Sequence, residues 1–299
     1  MKRKILILGS SGFIGRHLIE ECLKQDMIPV LFDRYTKYYA DPENCPDGTE
    51  IFSGDVRDRE SVEEAIKKCN YAINLAGILG TQETINDPIP SIQTNVIGAV
   101  NFLEACKPTA FHNIKAVQIG VGNYWMNNSY SITKDMALRF CMMYNKEHKT
   151  KVAMVRALNA YGEYQKAQPI RKIIPTFINK ALNNENIEIY GDGSQVMDMI
   201  YVKDLCRILI AACIQDHNIY NKVLEAGTGR PTTVNWIADT IIKACGSDSK
   251  IIYLPMRPGE EEKSFVCANP DSLKVIGFDT FTRFEDGIDK TIKWYKGEK

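Results

Sequence analysis

Tyr130 and Lys134 stand four residues apart in Tyr130-Ser131-Ile132-Thr133-Lys134. On a helix that spacing puts both side chains on one face. An ammonium near a phenol favours the phenolate, so the tyrosine pKa is expected to fall. A tyrosine so placed can remove a hydroxyl proton, or return it, while hydride moves to or from a nicotinamide ring. A surface tyrosine beside a solvated lysine reads the same in isolation, so the pair takes its meaning from the elements around it.

Those elements begin at the N-terminus. Ile5-Leu6-Ile7-Leu8 is a continuous aliphatic run that reads as a buried strand. Gly9-Ser10-Ser11-Gly12-Phe13-Ile14-Gly15 follows it and opens a helix over 14–24, with Ile14, Leu18, Ile19 and Cys22 on one side. Its G-x-x-G-x-x-G spacing differs from the commoner G-x-G-x-x-G. Glycines let the backbone approach a pyrophosphate, and the helix N-terminus adds N–H groups and a positive dipole end. Asp33 closes a second strand over 29–33, eighteen residues beyond Gly15. A carboxylate there accepts hydrogen bonds from both ribose hydroxyls and repels a 2′-phosphate, which favours NAD over NADP. Arg34, next in line, weakens that preference. Asp55-Val56 and Asn74-Leu75-Ala76-Gly77 end further short strands, at the sheet edge where a ligand lies in an open α/β fold.

Strands are predicted over 71–75, 116–119 and 152–156, and helices over 91–105 and 130–145, with Ser61 capping an intervening helix and Glu64 as its capping-box partner. This alternation predicts right-handed crossovers and a doubly wound parallel α/β sheet of Rossmann type. After about Gly162 the pattern changes. Helices are predicted over 173–182, 204–214 and 234–245, strands over 187–189 and 222–226, and a loop-rich remainder. The expected division is a NAD-binding unit over 1–165 and a smaller substrate lobe over 166–299, with a segment near 198–228 returning to the sheet.

The bulk properties narrow the function. Among 299 residues, Lys+Arg and Asp+Glu are both 37, and the formal net charge is zero. That gives no global attraction to nucleic acid or to an anionic membrane. The apolar run at 5–8 is too short for a signal peptide, and no stretch reaches the roughly 20 apolar residues of a membrane span. The nine cysteines form no Cys-x-x-Cys pair, and four scattered histidines offer no metal cluster. The expectation is a cytoplasmic protein with reduced thiols and no metal.

Taken together, these motifs resemble the extended short-chain dehydrogenase/reductase family, in its nucleotide-sugar epimerase/dehydratase branch. The resemblance spans nearly the whole chain and continues through Thr94-Asn95-Val96-Ile97-Gly98, Arg156-Ala157-Leu158-Asn159-Ala160-Tyr161-Gly162, Ile189-Tyr190-Gly191-Asp192-Gly193-Ser194-Gln195, Asp198–Asp204 and Arg257-Pro258-Gly259-Glu260. It implies a NAD site at Gly9, Ser11, Gly12, Phe13, Ile14, Gly15, Asp33, Arg34, Asp55, Val56, Leu75, Ala76, Gly77, Asn95 and Leu158, shared with Tyr130 and Lys134. Within that site the three glycines hold the pyrophosphate, Asp33 the adenine ribose, and Asp55 and Val56 the adenine. The resemblance also implies that Lys134 binds the nicotinamide ribose, that Tyr130 is the catalytic acid/base, and that Tyr190, Asn159 and Arg257 contact the nucleotide sugar. It implies a homodimer through the helices at 91–105 and 130–145.

Three departures stand out. Where the family carries Ser or Thr after the fourth major strand, this chain reads Gln118-Ile119-Gly120-Val121-Gly122-Asn123-Tyr124, leaving Asn123 or Tyr124 as substitutes. The segment from there to Tyr130 is short. Met197 stands where an arginine usually precedes Asp198, with Lys203, Arg171 or Lys172 as compensating cations. The favoured reaction is therefore epimerisation of a nucleotide sugar through a transient ketone. A 4,6-dehydratase also needs an acidic pair that is missing here. The alternatives are a reductase of a nucleotide-linked 4-keto sugar, disfavoured by the Asp33 preference for NAD, and a non-catalytic NAD binder, disfavoured by Tyr130 and Lys134.

Overall fold

The computed structural model describes residues 2–34, 47–110, 112–215 and 219–298. In chain order the first elements are β1 (Lys4–Leu8), α1 (Phe13–Lys24), β2 (Ile28–Asp33), β3 (Glu50–Ser53), α2 (Arg59–Lys67) and β4 (Tyr71–Asn74). A short α3 (Ile89–Ser91) runs through a π-helical segment, Ile92–Ile97, into α4 (Gly98–Ala105), followed by β5 (Lys115–Val121), α5 (Ser129–Glu147) and β6 (Lys151–Ala157). These strands pair in the order β3-β2-β1-β4-β5-β6, all parallel. The order reverses at β1, so a crevice opens where β1 and β4 end, the place where an open α/β sheet binds its ligand.

Alternate residues of each strand face opposite sides of the sheet. Ile5, Ile7, Leu31, Ile73 and Val117 pack on one side with Leu18 and Cys22 of α1. Leu6, Leu8, Val30 and Phe32 pack on the other with Val62 and Ile66 of α2, Phe102 and Leu103 of α4, and Leu138 of α5. Both faces are covered, which is why the strands are apolar throughout rather than alternating.

The second half holds β7 (Asn159–Tyr161), α6 (Ile173–Leu182), β8 (Ile187–Tyr190), β9 (Val196–Tyr201), α7 (Val202–Ile214) and β10 (Val223–Ala226). It continues through β11 (Pro231–Thr233), α8 (Val234–Cys245), β12 (Ile251–Leu254), β13 (Phe265–Val266), a 3-10 turn at Pro270–Ile276 and α9 (Phe284–Tyr295). β10 adds to β6 as a seventh parallel strand, and Leu205, Ile208 and Leu209 of α7 join the core under the sheet. β9 pairs with β7, β11 and β13, while β8 pairs with β12.

The structure corrects the sequence reading in three places. Asp58, not Ser61, caps α2, its carboxylate accepting from the Glu60 N–H at 3.2 Å. The helix expected over 91–105 is broken by the π segment that carries Asn95. The segment expected to be loop-rich contains α9, which buries Ile288, Thr291 and Ile292 and lays Phe284 against Tyr161 at 5.1 Å. Prolines 255, 258 and 270 suggested loop, and the 284/288/292 apolar spacing that marks this helix follows them.

Candidate active site

β1 ends at Leu8 and the chain turns sharply at Gly9, which has φ of 82°. A side chain there would come within 2.8 Å of the Ala76 amide nitrogen, so the glycine lets two strand ends approach each other. A side chain at Gly12 would meet only the Gly9 carbonyl, at 3.2 Å. Gly12 is the N-cap of α1 and no side chain occupies the cap. The turn therefore presents open backbone at a helix N-terminus, which suits a pyrophosphate. Beside it the Ser11 hydroxyl is buried with no partner among the described residues. Asp33 is fixed toward the turn, accepting from the Ser11 N–H at 2.9 Å and the Arg34 N–H at 2.8 Å.

A cavity of about 660 Å³ starts at this turn, at Ser11, Gly12, Phe13 and Ile14. It passes Leu75, Gly77, Tyr130, Lys134 and Leu158 and ends among Asn159, Arg171, Lys172, Tyr190, Met197 and Arg257. That is within the range of small-molecule sites. Gly9, Gly15, Asp33, Arg34, Asp55, Val56, Ala76 and Asn95, also expected at the NAD site, are not among the residues that line the cavity. Both Asp55 carboxylate oxygens bind the Arg57 guanidinium, which holds this carboxyl below its ordinary pKa. Val56 packs against Gly98, where a side chain would meet its Cγ2 at 2.7 Å.

Tyr130 and Lys134 lie in the first turns of α5. Asn128 caps this helix, accepting from the Ser131 N–H at 2.9 Å. Lys134 is only 3% exposed, and its Nζ sits against Gly77, where a side chain would approach it to 3.6 Å. Burial lowers the Lys134 pKa from its ordinary 10.5 to about 8. Burial raises that of Tyr130. The expected fall of the tyrosine pKa is therefore corrected: in the protein alone, burial disfavours the phenolate and raises the pKa.

Asn95 turns out to be a clamp within the protein. Its Oδ1 accepts from the Ile78 N–H at 2.7 Å, and its Nδ2 donates to the Ile78 carbonyl at 3.1 Å and to Thr133 Oγ1 at 2.9 Å. Thr133 in turn bonds the Ser129 and Tyr130 carbonyls. The π segment thus ties the loop after β4, at Ile78, to the turn of α5 that carries Tyr130, and π-helical turns are frequent at functional sites.

At the far end, Asn123 lines the cavity, its amide pointing at Met126 Sδ, 3.4 Å away. Tyr124 does not. Its ring lies outside with the Arg156 guanidinium 3.6 Å above it. Of the three cations proposed to replace the arginine missing at Met197, Arg171 and Lys172 line the cavity. Lys203 is paired instead with Glu163 at 3.2 Å. Arg171 bonds Glu188 and the Tyr190 hydroxyl, both at 2.8 Å, and Arg257 lies over the Tyr190 ring at 5.0 Å while pairing with Glu260. Asp198, fully buried, does not line the cavity. It accepts from the Thr228 N–H and hydroxyl, the Gly229 N–H and the Ala268 N–H, and so ties β9 to two loops.

Sequence reasoning missed several cavity residues, among them Leu79, Glu83, Gln165 and Val266. Leu79, Glu83 and Gln165 sit in irregular segments, and Val266 in a two-residue strand too short to show a period. Asn128 was legible as a preferred N-cap residue just before an amphipathic run. Among the described residues no group of three or more His, Cys, Asp or Glu is placed to hold a metal, and no helix is long and apolar enough to cross a membrane.

Comparison with known proteins agrees with this geometry. Residues 5–224 match the NAD dependent epimerase/dehydratase family, and the chain belongs to that family. It is 29% identical to the UDP-N-acetyl-alpha-D-glucosaminuronate decarboxylase of Bacillus cytotoxicus, covering 99% of this chain and 98% of that one. Its fold is similar to the UDP-glucose 4-epimerase of Thermus thermophilus in complex with NAD, with a TM-score of 0.86, 23% identity, and 98% and 99% of the two chains covered. It is also similar to the UDP-N-acetylglucosamine 4-epimerase of Methanobrevibacter ruminantium, with a TM-score of 0.88, 24% identity and full coverage of both chains.

Proposed function

We propose that this chain is a NAD-dependent nucleotide-sugar epimerase of the UDP-hexose 4-epimerase kind. It oxidises a sugar hydroxyl to a ketone, turns the keto sugar and reduces its other face. The observation that carries this reading is the single cavity joining the glycine turn at Ser11–Ile14 to Tyr130 and Lys134, and these to Arg171, Lys172, Tyr190 and Arg257. A dinucleotide in one arm and a nucleotide sugar in the other meet at Tyr130. Residues 1–165 then form mainly the NAD-binding unit and 166–299 mainly the substrate lobe.

In this account Gly12 and the first N–H groups of α1 hold the pyrophosphate, and Asp33 takes the ribose hydroxyls. Bound NAD supplies the hydride acceptor and donor. Tyr130, once its own proton has left to solvent, takes the sugar hydroxyl proton on its phenolate oxygen and returns it on the reverse step. Lys134, enclosed beside Gly77, lowers the cost of the phenolate by its charge and reaches the nicotinamide ribose. Arg171, Lys172 and Arg257 face the sugar nucleotide's diphosphate, with Tyr190 and Asn159 beside it. The wall at Gly120-Val121-Gly122-Asn123 carries no carboxylate, so elimination of water lacks its acid/base pair there.

The second reading is decarboxylation of a UDP-uronate, favoured by the full-length relative with that activity in its name. Oxidation at C4 is common to both, because a 4-keto uronate is a β-keto acid that loses CO₂ from C6. A 4-keto-sugar reductase of the usual biosynthetic kind would draw on NADPH, whose 2′-phosphate the carboxylate of Asp33 disfavours. A homodimer is also proposed, since Ile89, Ile92 and Ile97 around the π segment and Ile132, Met136 and Met143 along α5 are all exposed.

The test is incubation of the purified protein, without added cofactor, with UDP-glucose, UDP-N-acetylglucosamine, UDP-glucuronate and their dTDP, GDP and CDP counterparts, followed by proton NMR of the anomeric region. A new epimer signal, absent with Tyr130→Phe, supports the proposal. Release of CO₂ from the uronate selects the second reading. No conversion of any sugar overturns both.

A further inference from the structure

The geometry points to Asn128 as a positioning residue that locks the substrate-binding turn at Arg257 to the helix that carries Tyr130. This rests on the nucleotide-sugar reading above. Asn128 is 2% exposed and uses both ends of its carboxamide. Its Oδ1 caps α5 by accepting from the Ser131 N–H at 2.9 Å, one residue beyond Tyr130. That bond fixes the orientation of the amide, since only the oxygen can accept. Nδ2 is thereby aimed at the Gly259 carbonyl, to which it donates at 3.0 Å.

Gly259 belongs to the turn Arg257-Pro258-Gly259-Glu260, closed by the Glu260 N–H donating to the Arg257 carbonyl at 3.3 Å. The turn is also held from its other side. The Glu260 carboxylate pairs with the Arg257 guanidinium and accepts from the Thr81 hydroxyl at 3.2 Å. Gly259 has φ of 78° and lies so close to the 81–85 segment that a side chain there would meet the Thr81 carbonyl at 3.0 Å. The turn is thus wedged between the segment after β4 and the cap of α5, and Asn128 is its one side-chain link to that cap among the described residues. A group pulling on Arg257 therefore acts, through one carboxamide, on the first turn of the helix that aims Tyr130.

The cap and the link are separable. Asn128→Asp keeps a good cap oxygen but replaces the donor with an acceptor facing the Gly259 carbonyl. Asn128→Ser keeps a cap and cannot reach the turn. The experiment is calorimetric titration of UDP into the purified NAD-loaded protein, for wild type, both variants, Arg257→Ala and the Asn128→Asp/Arg257→Ala double variant, with thermal midpoint and bound NAD measured on each.

The expected result is UDP affinity weakened about three- to tenfold in both Asn128 variants, the loss of one net hydrogen bond, with NAD content at the wild-type value and the thermal midpoint lowered by no more than a few degrees. On the Arg257→Ala background Asn128→Asp is expected to weaken binding no further, because the residue acts through Arg257. UDP affinity unchanged in both variants overturns the proposal. So does a full further loss in the double variant, or loss of NAD and stability together with UDP affinity, either of which marks a general structural role. A wild-type protein that binds no UDP overturns the UDP-sugar reading itself, a result distinct from bound UDP that ignores Asn128.

Discussion

The two arms of the cavity are built differently. The arm at the glycine turn is made from consecutive residues: one strand end, one turn and one helix N-terminus place Gly9 to Ile14, and Asp33 reaches them from the adjacent strand. The arm at Arg257 is assembled from segments near 79–83, 120–126, 164–174, 188–197 and 256–261, none of which is regular throughout. In the first arm local sequence dictates local geometry. In the second, tertiary packing decides which side chains meet.

The sharpest contrast between the arms is at their junction. Tyr130→Phe is expected to lower kcat by about 10²–10⁴-fold while the purified protein keeps its NAD, since the glycine arm is untouched; steady-state rates and cofactor release on denaturation measure both. Arg257→Ala is expected to weaken UDP binding by about ten- to a hundredfold, again with NAD content unchanged, read by calorimetry. An equal loss of NAD would show that the arms are not independent.

Lys134→Met separates chemistry from stability at the same junction. The native lysine has a lowered pKa, about 8, so below that pH the folded state carries a costly buried charge. Between about 8 and 10.5 the unfolded chain binds more protons than the folded one, and that cost fades as pH rises. The variant is expected to be inactive yet more stable by about 2–3 kcal/mol at pH 7, with the gain vanishing above pH 10.5; denaturant titrations across this range check it. Gly9→Ala is expected to cost about 1–3 kcal/mol through its positive φ and its approach to Ala76, and to lower NAD content without changing UDP affinity in protein reloaded with NAD. The smallest effect belongs to Asp58→Ala, which lies off the cavity wall, at about 1 kcal/mol from the lost cap of α2, with UDP affinity unaffected.

The same contrast explains what was legible in the sequence. The doubly wound sheet follows from apolar runs alternating with amphipathic helices, and the glycine turn from its position between β1 and α1. The tyrosine pair follows from its spacing on α5. Asn95 was legible as important but not as a clamp, because its partners Ile78 and Thr133 come together only in the fold. Tyr124 was read as facing the substrate because it stands in the segment after β5 where the family carries Ser or Thr, yet its ring packs under the Arg156 guanidinium of the neighbouring strand instead. The direction of the tyrosine pKa was misjudged because spacing reports the nearby charge and not the depth of burial that opposes it.

On the proposed function, one continuous cavity lets Tyr130 and a resident NAD remove hydride from a sugar carbon and return it. The most direct test is to give the purified protein, without added cofactor, the UDP-sugar it converts, carrying deuterium at C4, and to follow the label by NMR and mass spectrometry. Retention of deuterium at C4 of the epimeric product, with no uptake from solvent, is the predicted result. Loss of the label to solvent would contradict the account.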